Sequence, residues 1–308
     1  MSRDKHNFLI KMLRHRNFIL SLALVLGLVA GHGAHYTETT VLPLLAVIMT
    51  LSTMSVEGSV FRSARGLAIP ALAGLIMSFV VLGGVLLALN FLMIRNDAFA
   101  RGFIVLAAAP PAVAVVPFTR LLRGNHSFSL IGAIGCYLGG LVITPLMALA
   151  FLGTNVIQPG KLFLVLLELI LAPLILSRVL RWTGASGRLE PASGIITNWC
   201  FFLITYTIVG LNRDLFLYQT LALAPVMMIA LFSTFILGGI IKILGRLLHI
   251  DSPTVVSLML LGTLKNYGLA GGLALTLFDR HSAVPAAVST VFMIVYIMWL
   301  GFISRVRN

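Results

Sequence analysis

The chain has 308 residues, of which 59% are apolar and 10% are charged, and its formal net charge is +13. Soluble domains average about 25% charged residues, so this composition excludes an ordinary soluble domain. The positive charge does not indicate nucleic-acid binding, because the basic residues lie singly or in pairs at the ends of apolar segments rather than on one face. The composition predicts an all-α protein in a lipid bilayer, with no nucleic-acid partner.

Ten apolar segments of about 20 residues, each able to cross the bilayer as a helix, follow one another along the chain. Their approximate limits are 17–33, 40–56, 67–94, 102–119, 127–152, 161–180, 194–211, 219–247, 254–277 and 283–304. Most of the 22 Lys and Arg residues fall on the side of the N-terminus, which predicts that both termini are cytoplasmic. A chain with such short tails suits a multi-pass protein of a bacterial inner membrane.

The ten segments divide into two sets of five. The first repeat would span residues 1–152 and the second residues 153–308, with the division in the loop 153–160. Because five is odd, two such repeats have opposite orientations in the membrane. This inverted-repeat arrangement is typical of many secondary transporters.

The fourth segment of each half carries residues that interrupt a helix. In the first half, Pro110 and Pro111 follow three alanines and precede Pro117, and three prolines cannot all lie in an unbroken helix. In the second half, residues 262–268 read Gly-Thr-Leu-Lys-Asn-Tyr-Gly. Interruptions at matched positions expose backbone carbonyls and helix ends to ions and ligands, so they predict a transport site that includes Pro110 and Pro111.

Lys265 lies inside the second interruption and is the strongest candidate for a functional residue. A cation at the centre of a membrane helix costs about 2.5 to 3.5 kcal/mol on insertion scales, so it is normally retained only where it faces a cavity or a partner. Asn266 is the second candidate, because its amide offers both donors and an acceptor. Weaker candidates share a hydroxyl group near the interruptions: Thr263, Tyr267, Ser129 and Thr119.

Glu168 is the one carboxylate well inside an apolar segment, the sixth. It either faces water or acts as a partner of Lys265 or a proton carrier. The two cysteines, Cys136 and Cys200, each lie in an apolar run, so the sequence indicates neither a disulfide framework nor a metal site.

The chain resembles the bile acid:sodium symporter family across nearly its whole length. The resemblance is carried by Ala109-Pro110-Pro111 through Thr119, by Arg123-Gly124-Asn125 with Ser129, and by Lys265-Asn266 with Gly268-Leu269-Ala270. It implies ten helices in a panel domain and a core domain, with the fourth and ninth helices crossing in the core near mid-membrane. It also implies secondary active transport of a small organic anion by alternating access, with bile acids, pantoate-like acids and keto acids all open as substrates.

The resemblance also implies that the ordinary sodium sites are lost. The family binds sodium through a Ser-Asn pair in the fourth helix, hydroxyls in the fifth, a Glu and a Gln at the ninth-helix crossing, and a Gln in the third helix. In this chain the Ser-Asn pair falls on Val115 and Val116, and the two hydroxyls fall on Ser129 and Ala133. The Glu falls on Leu261, the Gln of the ninth helix falls on Lys265, and the Gln of the third helix falls near Ser78. Sodium needs several oxygen ligands, so we expect no metal or other cofactor here.

Two roles for Lys265 remain open from the residues alone. It either stays protonated as a counter-charge for the anion, in a facilitator or exchanger, or it loads and unloads a proton during the cycle. A sodium symporter with rearranged ligands is the alternative within transport. A membrane-embedded enzyme is less expected, because the sequence lacks paired carboxylates or a His cluster, and a non-transporting sensor is also less expected. Substrate identity, direction of transport and oligomeric state stay open.

Overall fold

The computed structural model describes residues 16–54, 64–112, 114–153, 160, 164 and 167–306. These residues are helical almost throughout and none of them forms a β-strand, which confirms the all-α prediction. Several sequence-based expectations fall partly outside the described residues. They are the end of the predicted segment 40–56, residue 113 of the predicted segment 102–119, the loop between the predicted halves (154–159), the start of the predicted segment 161–180, and the N-terminal residues 1–15 that contribute to the predicted orientation.

In chain order the α-helices are α1 (Arg16–Val29), α2 (Ala34–Thr37), α3 (Val41–Met54), α4 (Ala64–Leu75), α5 (Gly83–Met93), α6 (Asp97–Ala108), α7 (Val115–Leu121), α8 (His126–Leu152), α9 (Ala172–Trp182), α10 (Ser186–Leu211), α11 (Arg213–Tyr218), α12 (Ala224–Leu231), α13 (Leu237–Leu247), α14 (Ser252–Leu261), α15 (Tyr267–Leu277) and α16 (Val284–Val306). Short 3₁₀ turns cover Gly31–Gly33, Glu38–Thr40, Thr220–Leu223 and His281–Ala283. Turns of π-helix cover Ile76–Leu82, Leu167–Leu171 and Phe232–Ile236.

Five helical stretches among the described residues are long and apolar enough to cross a membrane: Leu67–Met93, His126–Leu152, Ser186–Leu211, Thr220–Leu247 and His281–Ile303. A sixth span arises if Phe18–Val29 and Gly31–Leu51, which meet at a bend of 92°, are counted as one. The chain is therefore a multi-pass membrane protein. The predicted ten-helix inverted repeat is a finer statement than these spans and is taken up under Proposed function.

Two helix starts lie earlier in the chain than the hydropathy pattern predicts. Helix α10 begins at Ser186 rather than at residue 194, and α6 begins at Asp97 rather than at residue 102. Asn96 is the N-cap of the extra first turn of α6, because its side chain accepts hydrogen bonds from the N–H groups of Ala98 and Phe99. Hydropathy detects only the part of a helix that lies in hydrocarbon, so polar first turns are missed.

The chain forms two compact units, and each unit draws on both halves of the sequence. The first comprises Met1–Ser55 with Glu168–Leu223, and the second comprises Val56–Leu167 with Ala224–Asn308. A compact unit collects helices that pack together, whereas a sequence repeat is a continuous run. The predicted repeats 1–152 and 153–308 are therefore a different kind of division, which these units do not test.

In the first unit, α10 packs against α1 and α3, and α9 packs against α3. The chain approaches itself closely at Gly210: a Cβ atom added there would lie 2.7 Å from Ala34 Cβ and 3.1 Å from Gly31 Cα. Only a residue without a side chain fits at this point, as is typical of tightly packed membrane helices.

In the second unit, the two interrupted segments lie among the long helices. Helix α6 packs against α5, α8, α15 and α16, while α14 packs against α7, α8 and α13. Near the N-terminal end of α6, Arg101 Nη2 donates to Asp279 Oδ2 at 3.1 Å, and Asp279 also accepts from the N–H of Ser282 at 2.9 Å. This ion pair joins the start of α6 to the loop before α16.

The Gly210 contact yields a stability prediction. We expect Gly210→Val to destabilise the protein by about 1–3 kcal/mol, because the added side chain overpacks a backbone contact. The measurement is the thermal unfolding midpoint in detergent. The matched control is Gly194→Val on the same helix, where an added Cβ would meet nothing within 4 Å. Equal shifts for the two variants would contradict the close contact.

The Arg101–Asp279 pair yields a pH prediction. Partial burial raises the pKa of Asp279, but hydrogen bonds from Ser282 and Arg101 outweigh it, so the pKa lies below its ordinary value of 3.8. A lowered carboxyl pKa stabilises the folded state above about pH 4, and the contribution disappears as the pH falls through the folded-state pKa. Because both side chains are partly exposed, the pair is expected to contribute only about 0.2–1 kcal/mol.

The measurement is the unfolding midpoint of the parent and of Asp279→Asn at pH 6 and at pH 3. The difference between them should be present at pH 6 and shrink at pH 3, and Arg101→Gln should show the same trend. A difference that stays constant over this range would show that the ion pair does not stabilise the protein.

Candidate functional site

The first interruption lies between α6 and α7, where two consecutive prolines remove backbone donors. In a continuous helix the carbonyls of Leu106 and Ala107 would accept from the N–H groups of residues 110 and 111, which are Pro110 and Pro111 and have none. The chain turns into extended backbone at Ala109, whose ψ is 147°. The carbonyl of Leu106 still accepts from the N–H of Ala109 at 3.3 Å, whereas the carbonyl of Ala107 is left without a helical partner. The end of α6 also carries the negative end of the helix dipole.

The second interruption, between α14 and α15, crosses the first and pairs with its backbone. The N–H of Ala112 donates to the carbonyl of Leu264 at 3.0 Å, and the N–H of Asn266 donates to the carbonyl of Pro110 at 2.9 Å. These bonds form an antiparallel bridge between Pro111 and Lys265. Each interruption thus supplies hydrogen-bond partners that the other needs, since unpaired backbone groups are costly away from water.

Lys265 places its ammonium group at the open end of α6. Its Nζ donates to the carbonyls of Ala109 at 2.7 Å and Ala107 at 2.8 Å, and to Ser78 Oγ at 3.3 Å. The same atom lies 4.6 Å from the centre of the Phe79 ring. Lys265 is 0% exposed. A protonated Lys265 would use all three of its N–H bonds here, because an ammonium has three donors and Nζ has three acceptors within reach.

This environment suits a cation for three physical reasons. The carbonyls stand at the negative end of a helix, where a positive charge is favourable. Hydrogen bonds from a charged donor are stronger than neutral ones. The face of the Phe79 ring also attracts a cation through its quadrupole. Two backbone carbonyls, a hydroxyl and an aromatic face therefore surround Lys265 Nζ.

Helix α8 holds the remaining carbonyls of the first interruption. Thr144 Oγ1 donates to the carbonyl of Ala108 at 2.7 Å, and Tyr137 Oη donates to the carbonyl of Pro111 at 2.9 Å. Both side chains are buried. Together with Lys265 and Asn266, they give a partner to every carbonyl from residue 107 to residue 111.

Three further predicted residues organise the second interruption. Asn266 is 3% exposed, and its Oδ1 accepts from the N–H of Leu269 at 3.1 Å, which caps the start of α15. Thr263 Oγ1 donates to the carbonyl of Met259 at 2.7 Å, and Tyr267 Oη donates to the carbonyl of Thr263 at 3.3 Å. These contacts keep the backbone of the broken segment in place.

Ser129 and Thr119 form a separate buried pair. Thr119 Oγ1 lies 2.7 Å from Ser129 Oγ and 2.8 Å from the carbonyl of Val115. The positions where the resemblance implies further sodium ligands hold buried apolar side chains, namely Val115, Ala133 and Leu261, which are 0%, 4% and 0% exposed. The two hydroxyls therefore bind each other and the helix backbone in surroundings that are otherwise apolar.

The structure brings together Lys265, Asn266, Pro110 and Pro111, as the matched interruptions predict. It adds Ser78, which the resemblance placed only loosely. Glu168 belongs to the other compact unit, where it is exposed in the π-helical turn Leu167–Leu171. A pairing of Glu168 with Lys265 stays a hypothesis.

The groups that contact Lys265 Nζ and the first interruption are not among the residues predicted from the sequence. These are the carbonyls of Ala107 and Ala109, and the side chains of Phe79, Tyr137 and Thr144. The prolines could have revealed the carbonyls, because Pro111 leaves Ala107 without a helical donor. Nothing in the spacing along the chain indicates the three side chains, which come from other helices.

Comparison with known proteins shows the family to which the chain belongs. The chain matches the SBF-like CPA transporter family over residues 17–306. It is 24% identical over 251 residues to the uncharacterized sodium-dependent transporter YocS of Bacillus subtilis (strain 168), a match that covers 80% of this chain and 77% of that protein.

Shorter matches extend to animal proteins. The chain is 31% identical over 117 residues to sodium/bile acid cotransporter 7 of Danio rerio, and 30% identical over 120 residues to the protein of the same name from Xenopus tropicalis. Each match covers 36% of this chain and 34% of the relative, so the chain spans about a third of the length of these two relatives. Because the family match covers nearly all of the chain, the resemblance to the bile acid:sodium symporters is confirmed, and the chain is a membrane transporter, not an enzyme, that belongs to the SBF-like CPA transporter family.

Proposed function

We propose that the protein is a secondary transporter that moves a small organic anion by alternating access, with the ammonium of Lys265 standing in the place of a coupling sodium ion. The observation that carries this proposal is the set of three hydrogen bonds from Lys265 Nζ to the carbonyls of Ala107 and Ala109 and to Ser78 Oγ. Coupling to sodium is then unnecessary, because the positive charge is already supplied by the chain.

The contacts favour this role over a direct counter-charge for the substrate. All three donors of Lys265 point at protein acceptors, so no N–H remains for a carboxylate. A sodium ion about 4 Å away would be repelled by roughly 4 kcal/mol at an effective dielectric constant of 20. The ammonium therefore occupies a cation site and opposes the entry of a second cation next to it.

The buried pair of Thr119 and Ser129 supports the loss of the other sodium site. Sodium prefers several oxygen ligands in one cluster. Here two hydroxyl oxygens already bind each other, and the neighbouring positions of the resemblance are filled by Val115, Ala133 and Leu261. A sodium ion would have to displace that hydrogen bond and would gain few ligands.

Matched features in the two halves support the proposed ten-helix inverted repeat, 1–152 and 153–308. The third segment of each half contains a π-helical turn, Ile76–Leu82 and Phe232–Ile236. The fourth segment of each half is capped by an Asx side chain, Asn96 or Asp251, and is interrupted at its middle.

The loop that ends each interrupted segment also contacts the start of the other one. After α7, the N–H of Asn125 donates to the carbonyl of Pro253 at 2.9 Å. After α15, Asp279 accepts from Arg101 at 3.1 Å. This reciprocal exchange is the expected result of two halves in opposite orientations. The unit with α4–α8 and α12–α16 would then be the core and the other unit the panel.

The substrate class is proposed from the relatives. Two of them are named as sodium/bile acid cotransporters, which favours an organic anion. We place the protein in a bacterial inner membrane with both termini in the cytoplasm, in accordance with the distribution of Lys and Arg. A sodium-coupled symporter with rearranged ligands is the second candidate, since YocS is named as sodium-dependent. It would need a sodium site away from Lys265.

The central test replaces Lys265 with Gln. The parent should bind and transport its anion equally well in sodium and potassium buffers. Lys265→Gln should lose stability, since each unpaired buried acceptor costs about 1–3 kcal/mol, and sodium but not potassium should restore part of it. Thermal unfolding in detergent and uptake into proteoliposomes, with a panel of organic anions at several pH values, measure both effects.

Lys265→Met is the matched control, because the Met side chain is about as long as that of Gln but supplies no oxygen for sodium. It should be destabilised in both salts. Sodium-dependent uptake by the parent that persists in Lys265→Gln would favour the second candidate. A third outcome is uptake that depends on a proton gradient in the parent but not in Lys265→Gln. This outcome would instead assign Lys265 the role of proton carrier.

A second test concerns Ser129. We expect Ser129→Ala to cost about 0.5–1.5 kcal/mol, the value of one ordinary hydrogen bond, and to leave the response of uptake to sodium unchanged. Thr119→Val should have the same effect, because the two hydroxyls are hydrogen-bonded to each other. A change in sodium response in either variant would show that this pair binds the ion.

A further inference from the structure

A cavity of about 210 Å³ opens at one end of the second compact unit, away from Lys265. Three helices contribute to its wall, α13, α14 and α16, together with Leu122, which directly follows α7. Its interior is apolar, with Val255, Met259, Leu300 and Ile303 among the lining residues. Nothing in the proposed transport cycle uses this cavity.

Two basic residues of α13 line the same side of the cavity. Lys242 and Arg246 lie four residues apart on α13, so they project from the same face of that helix one turn apart. Lys242 is half-buried and Arg246 is exposed. None of the described residues that line the cavity is acidic. The cavity therefore combines an apolar interior with a positively charged side.

The surroundings of the cavity suit a position at the edge of the hydrocarbon layer. Helix α13 ends at Leu247, α14 begins at Ser252 and α16 ends at Val306, so several helix ends meet at this level. The opposite face of α13 exposes large apolar side chains, including Ile243, Leu244 and Leu247, which are 59%, 51% and 67% exposed. Exposed side chains of this kind suit contact with lipid tails, and Lys and Arg near helix ends suit contact with headgroups.

We propose that this cavity binds an anionic phospholipid of the adjacent leaflet. The phosphate would lie against Lys242 and Arg246, and part of one acyl chain would enter the cavity toward Val255 and Leu300. Arg246 can donate two parallel hydrogen bonds to a phosphate, whereas Lys242 adds a compact charge. The ligand needs both a negative headgroup and a tail, because the site offers both a cationic wall and an apolar interior.

The position of the site gives the lipid a route to influence transport. The cavity is lined by Val255 and Met259 of α14, and the C-terminal end of the same helix leads into the interruption that carries Lys265. A bound lipid would hold α14 against α13 and α16. Occupancy would therefore stabilise one arrangement of the helix that positions the ammonium.

The experiment measures lipid binding to the purified full-length protein by native mass spectrometry and by thermal shift. The probes are phosphatidylglycerol, phosphatidylcholine with the same acyl chains, and glycerol 3-phosphate. We expect phosphatidylglycerol to bind more tightly than the other two. Lys242→Gln and Arg246→Gln should each weaken its binding roughly fivefold, as expected for one basic residue at an anionic surface.

Two further variants separate this site from general attraction. Arg188→Gln removes an exposed cation at the start of α10 and should leave binding unchanged. Ile303→Trp narrows the cavity while both cations remain, and should weaken phosphatidylglycerol binding. Equal binding of phosphatidylcholine, or an equal loss in Arg188→Gln, would overturn the proposal. Glycerol 3-phosphate that binds as tightly as the lipid would instead indicate a site for a free phosphate.

Discussion

The contact between the Lys265 ammonium and the open end of α6 is the constraint on which the rest of the core depends. Consecutive prolines leave the carbonyl of Ala107 without a helical donor, and Lys265 supplies one from another segment. A buried ammonium and buried carbonyls would each be costly alone, and together they satisfy one another. The interruption of one helix and the charge in the other are thus two parts of a single arrangement.

On the function proposed above, this arrangement would let a transporter of this family keep its broken helices without a bound sodium ion. The side chains at the expected ligand positions are apolar at Val115, Ala133 and Leu261, so the protein has not kept the family's cluster of oxygens there. What it keeps is the geometry of the crossing, with Ala112 bonded to Leu264 and Asn266 bonded to Pro110. A tethered cation holds carbonyls in the way that a bound ion does, but it cannot leave, which is why we propose a cycle without sodium.

For the cavity beside Lys242 and Arg246 we propose a second use of positive charge in the same chain. Lys265 is fully enclosed, whereas Arg246 is exposed at a helix end. The two charges have different consequences, because solvent and headgroups can reach Arg246 but not Lys265. The excess of basic residues in the composition therefore has separate explanations at separate depths.

The sequence by itself determined the fold class, the family and the position of both interruptions. Apolar length, proline pairs and an intramembrane lysine are local properties, so they can be read without coordinates. Helix limits were less accurate at α6 and α10, because hydropathy does not detect polar first turns. The tertiary structure alone decided what Lys265 touches. Its partners Ser78, Phe79 and Ala107 lie more than 150 residues away along the chain, and only the packing of helices brings their oxygens and ring to one nitrogen atom.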